Sequence, residues 1–184
     1  MSTFTIGAMN QLGDALENAG FSAEEVTKLK QFNNLKGIRD ILNGRAEIKY
    51  PEHLIDCDSA PFVPEGFTLV SHKKGGMWKW NPSVPFYLSK KQKKGGYSVG
   101  TDLQKELEGQ PVLNANVLDY LLAHPELIPE SWKGKAIFFW GTIYRDSSGS
   151  LCVRYLRWSG SEWGWIYYYL GLDFYGNDPA ALAS

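Results

Sequence analysis

Within six residues the chain places His53, Asp56, Cys57 and Asp58, its densest cluster of groups able to move a proton or attack a carbonyl. A thiol beside a base is the composition of a cysteine nucleophile, and His53, Cys57 and His72 are side chains of the types that bind zinc. The spacing suits neither use. It matches no zinc pattern, and the two carboxylates flanking Cys57 oppose thiolate formation by charge repulsion. A separation of four would align His53 and Cys57 on a helix, but Pro51, Pro61 and Pro64 argue against a helix there. The reading is a small buried cysteine with acids turning the chain. The sequence also lacks Gly-x-Gly-x-x-Gly after a strand, a Walker loop, His-Glu-x-x-His and Cys-x-x-Cys. No catalytic residue, metal ligand or cofactor is assigned, and the chain is not expected to be an enzyme.

A second pattern concerns binding. Residues 1–66 and 102–184 each carry six basic and ten acidic side chains, a net −4 apiece. Between them Lys73, Lys74, Lys79, Lys90, Lys91, Lys93 and Lys94 stand without one acid, a local +7 hidden inside an overall charge of −1. Trp78, Trp80, Phe86, Tyr87 and Tyr97 are interleaved with them. Lysines attract phosphate whatever the sequence, and aromatic rings stack on bases. The alternative for this segment is a pair of solvated loops. Lys73-Lys74-Gly75-Gly76 recurs as Lys93-Lys94-Gly95-Gly96, and paired glycines suit hairpin turns, so both lysine pairs are expected near loop tips.

The elements that must carry these groups fall into two parts, expected as a helical module over 1–45 and an α+β domain over 46–184. Met9, Leu12, Leu16 and Ala19 recur at helical spacing before Gly20. Ser22 and Glu25 form a capping box opening a helix with Val26, Leu29 and Phe32, and Leu35, Ile38, Ile41 and Leu42 make a third helix ending near Gly44. A helix pair across GFSAEE invites a helix-turn-helix reading, with a small interaction bundle as the alternative. Residues 45–66 read as a connector with one short strand. Residues 67–72 alternate as a strand, with Met77 to Trp80 as the returning one.

Thr101 with Gln104 suggests a capped helix ending at Gly109, and Asn114 one that stops at His124 before Pro125. Then come strands over 136–145, 151–158 and 163–170, separated by Asp146-Ser147-Ser148-Gly149 and Ser159-Gly160. The meander is rich in rings. Trp163, Trp165, Tyr167 and Tyr169 share one face, and Arg154 aligns with Cys152, Leu156 and Trp158. Such a face can stack bases or sugars, or form core against the helices. Asn177 or Asp178 before Pro179 suggests a last short helix.

The fold class expected is therefore α+β: a small N-terminal helical bundle, then an antiparallel, aromatic-rich sheet backed by the helices of 101–124. The start of the chain shows no basic cluster followed by an apolar run, and no window nears the roughly 18 apolar residues of a membrane span. Cys57 and Cys152 are too few for a disulfide framework. A reduced, cytoplasmic setting without membrane contact is the expectation. The run FFWGTIYR (138–145), the segment VLNANVLDYLLAHPELIPE (112–130) and NDPAALAS (177–184) resemble a family of uncharacterised bacterial proteins, over most of 45–184. That resemblance implies no activity, ligand or site. The function expected is a non-enzymatic binder of nucleic acid or another polyanion through Lys73, Lys74, Lys79, Lys90, Lys91, Lys93, Lys94, Trp78 and Trp80. A protein-interaction module is the alternative, and a Cys/His enzyme the third reading.

Overall fold

The computed structural model describes residues 5–31, 35–47 and 52–183, and the chain divides into two units, Met1–Pro51 and Glu52–Ser184. The first unit holds three helices with the expected punctuation. Helix α1 (Ile6–Asn18) opens on Thr5, whose hydroxyl accepts from the Ala8 amide at 3.2 Å. It ends where Gly20 takes φ +83° and the Phe21 amide reaches back to the Leu16 carbonyl. This left-handed ending is one that glycine adopts without steric penalty. Helix α2 (Ala23–Gln31) begins with the Ser22–Glu25 box, the Ser22 amide donating to Glu25 and the Glu25 amide to Ser22 Oγ. Phe32, expected in this helix, lies outside the described residues. Helix α3 (Leu35–Leu42) closes at Gly44 in the same way as α1. No side chain of α1 or α3 is buried.

The second unit is built on a sheet whose centre is β6 (Ile137–Arg145), buried along all but its last residue. It forms an antiparallel meander with β7 (Leu151–Trp158) and β8 (Trp163–Tyr169), as the turn residues predict. Asp146 accepts the amides of Ser148 and Ser150 in the first turn, and Gly149 takes φ +89°. The other side of β6 is shared. Strand β2 (Thr68–His72) pairs antiparallel with its second half, and β10 (Ala180–Ala181) lies parallel at Phe138, with β4 (Phe86–Tyr87) beyond it. Helices cover both faces. Val117, Leu118 and Leu121 of α6 (Ala115–Ala123) pack with Ile137, Phe139 and Leu156. Leu103 of α5 (Gly100–Glu106) packs with Phe138, Trp140 and Val153 on the opposite side. Each fully buried aliphatic side chain contributes about 1.5–3 kcal/mol, so these two layers hold the unit together.

Four local expectations are corrected. The strand after the first tetrad, β3 (Met77–Lys79), pairs with β1 (Leu54–Asp56) and not with β2, so residues 73–76 cross between two sheets instead of turning a hairpin. Asp58 organises that crossing by accepting the Gly75 and Gly76 amides at 3.0 and 2.9 Å. The second tetrad ends a one-turn helix, α4 (Lys90–Lys93), with Gly95 at φ +82°. Thr101 and Gln104 form no cap: α5 starts at Gly100, and the Gly100 and Thr101 amides donate to the Leu172 and Leu170 carbonyls of the segment after β8. A Cβ at Gly100 would meet Phe174 Cε2 at 2.5 Å, which is why the helix enters on glycine. Finally, Ala180–Ala181 form the parallel strand β10, not a helix, because Phe138 and Leu113 donate to the Pro179 and Ala181 carbonyls. No helix among the described residues is long and apolar enough to cross a membrane.

Candidate functional site

The three chemical candidates take different partners. His53 turns to α6, where its Nδ1 lies 2.9 Å from the Tyr120 hydroxyl and its ring 5.7 Å from that of His124. His72, on β2, meets Cys57 through that residue's carbonyl, 3.1 Å from Nε2. A carbonyl only accepts, so Nε2 carries hydrogen there, while Nδ1 lies 2.8 Å from Thr142 Oγ1. Asn114 donates to the same carbonyl at 2.8 Å and to Lys73 O at 2.9 Å, while its own oxygen caps α6 at Asn116. This knot ties β1, β2, β6 and α6 together through the Cys57 carbonyl. Burial pushes the Cys57 thiol up to about 11, with Asp56 and Asp58 adding charge repulsion. The flanking acids thus act in the direction their sequence position implies, and the protonated thiol is the unreactive form. Among the described residues no group of three His, Cys, Asp or Glu side chains is placed to hold a metal.

Different elements engage the lysines. Lys73 donates to the Gln110 carbonyl and Lys79 pairs with Glu52. Lys73 and Lys74 border a cavity of about 230 Å³ that also touches Cys57, Trp78 and Asn114. Trp80 is core: it is 8% exposed, with its ring 5.9 Å from Trp132 and 5.8 Å from Trp78. Trp78 is half-buried beside it. Lys90, Lys91, Lys93 and Lys94 are held differently. Their helical turn is fixed by a capping box in which Ser89 and Gln92 exchange bonds, both buried, with Ser89 Oγ 2.7 Å from Ser98 Oγ. Gln92 reaches on to the Tyr175 carbonyl at 2.7 Å. Beside this turn Tyr97 and Tyr175, 50% and 51% exposed, stand with ring centroids 5.8 Å apart. Lys91, Lys94, Gly96 and Tyr97 line a shallow depression there. Tyr175 was not singled out in the sequence, because nothing local joins residue 175 to residue 97.

The rings of β6 are buried, those of β8, including Trp163, Trp165, Tyr167 and Tyr169, are half-buried, and one arginine among them opens to a cavity. Arg154 on β7 is 1% exposed, and both terminal nitrogens bind Asp119 of α6, at 3.0 and 2.6 Å. Its guanidinium lies 4.1 Å from the Trp165 ring centre and 5.2 Å from that of Phe62. The adjacent Tyr144 hydroxyl, which donates to the Phe62 carbonyl, is pushed up by burial and drawn partly back by the arginine. Above the pair is a cavity of about 610 Å³, bordered also by Asp56, Asn116 and Tyr120. The signal available in the sequence was Asp119, the lone charge on a mostly apolar helix. Compared with known proteins, the chain matches no family model, no curated protein and no solved structure.

Proposed function

We propose that the chain is a non-enzymatic binding protein whose ligand is a single-stranded nucleic acid, held at the lysine turn of α4. The observation that carries this reading is the pair of exposed rings, Tyr97 and Tyr175, beside Lys91 and Lys94. Cations on a fixed turn supply attraction to phosphates, and neighbouring rings supply faces for bases. Trp80, in the core, is left out of the contact surface. The test is a labelled oligonucleotide titrated at several salt concentrations. Four neutralised phosphates give a log–log salt slope of about −3 for a single strand. Replacing Lys90, Lys91, Lys93 and Lys94 by Ser flattens the slope, whereas Tyr97→Ala lowers affinity for the oligonucleotide but not for polyphosphate. Equal loss on polyphosphate refutes stacking, and no binding at low salt refutes the reading.

The alternative, a protein-interaction module, is supported by α1 and α3, whose Ile6 and Leu42 are the most exposed large apolar side chains among the described residues. Affinity purification separates the two: a protein partner retained after nuclease and high salt supports this reading, and recovery of nucleic acid alone removes it.

A further inference from the structure

The cavity over Arg154 has a chemistry unlike that of the lysine turn, and it stands whether or not that turn binds nucleic acid. A buried ion pair is a poor device for stability alone, since well-packed apolar residues of like volume often serve as well or better. Here the satisfaction is also incomplete: among the described residues, buried Arg154 Nε has no partner. Yet the chain keeps this pair at the base of an opening of about 610 Å³, in the size range of small-molecule sites.

The donors and acceptors specify what such a molecule must offer. Arg154 gives both terminal nitrogens to Asp119, so its charge is compensated and its Nε hydrogen is left as a donor. Asp56 adds a second carboxylate, leaving the three charged groups at net −1. The Asp119 side chain remains 32% exposed, and a carboxylate has about four lone-pair sites, of which the arginine occupies two. Asn116 commits its amide nitrogen to Asp56 O, Ser59 O and Ser59 Oγ, so what it has left is an acceptor. The wall therefore accepts more hydrogens than it gives, beside the apolar surfaces of Trp165, Phe62 and Tyr120. A ligand must bring several donors, no negative charge and a compact apolar face.

We propose that this cavity binds a small sugar, neutral or amine-bearing. Its hydroxyls, or an ammonium, donate to Asp119 and Asp56, and its C–H face lies against the rings. The experiment uses the full chain and three probes: glucose, glucosamine and glucose 6-phosphate, followed by the Trp165 indole N–H resonance in ¹⁵N-labelled protein, assigned with Trp165→Phe. The expected result is saturable displacement of that resonance by glucosamine and glucose, with glucose 6-phosphate at least about tenfold weaker. Asp56→Asn keeps the oxygen that accepts from Asp58 and Ser59 while removing the charge, so it weakens glucosamine more than glucose. No displacement by any of the three sugars overturns the proposal. So does preference for the phosphorylated sugar, or an Asp56→Asn protein that binds glucosamine unchanged.

Discussion

Two groups of cations divide this molecule's positive charge between opposite physical regimes. At α4, four lysines in five residues lie on a single capped turn, and among the described residues none of them forms an ion pair with a carboxylate. At β7, one arginine lies inside the domain and is held by a bidentate carboxylate and two rings. The difference follows from the side chains: ammonium is strongly hydrated and stays at the surface, whereas planar guanidinium fits a fork and stacks. Charge at the turn is thus available to a ligand, and charge at the cavity is built into the fold.

The sharpest way to break that comparison is to remove Asp119. Asp119→Ala leaves Arg154 uncompensated in the interior and should destabilise the domain by about 3–5 kcal/mol in denaturant titration. Adding Arg154→Met should restore most of the loss, because the pair and not the position carries the penalty. A double variant no more stable than the single one refutes this account.

The next effect tests whether the two regions share the same dry interior. Cys57, near the lysine crossing, and Cys152, two residues before Arg154, are both pushed up to about 11, each by burial first. A raised folded-state value means the stability linked to each thiol is full below the ordinary value of 9.0 and is lost as pH rises from there through about 11. Tyr87 and Tyr169, raised to about 12, titrate above that range. The measurement is therefore the difference between the parent and Cys→Ala proteins in thermal melts across pH 9–11. Both variants should flatten the decline, and an unchanged slope for either would show that thiol to be open to solvent.

A smaller loss is expected at the cap of the lysine turn. Ser89→Ala removes both the box and the buried contact with Ser98 and should cost about 1–2 kcal/mol. It should also weaken oligonucleotide binding while leaving the salt slope intact, since the charges remain. The least effect on stability belongs to the fourfold Lys→Ser variant, which should melt within about 0.5 kcal/mol of the parent. A larger shift would mean that these lysines support the fold, and the contrast with Arg154 would fail.

The same contrast governs what could be read from the sequence. Local signals were legible: the Ser22–Glu25 box, the Asn114 cap, the stop before Pro125 and all three meander strands follow from patterns a few residues long. So was the α+β class. What failed were pairings decided far along the chain. Residues 73–76 carry turn chemistry, but the partner of β3 is β1, and no local pattern encodes that choice. Ala180–Ala181 resemble a helix start and become a strand only because Phe138 and Tyr87 flank them. The cavity was hidden for the same reason. Its members come from residues 55–62, 116–120, 154 and 165, and their types mean little until folding gathers them.

Strand β10 also sets an order of assembly. It lies between β4 and β6, nearly a hundred residues after the one and over forty after the other, and the chain there anchors residues 111–113 through the Ala181 carbonyl and the Ala183 amide. Closing loops of that length is entropically slow, while the β6–β8 meander needs only short turns. During synthesis the meander can therefore form first, with the β6 edge bare at Phe138 until residues 180–181 emerge. That bare edge is the stage most open to pairing with another chain. Two alanines, too small to contribute much burial themselves, thus act as the latch that covers this part of the β6 edge.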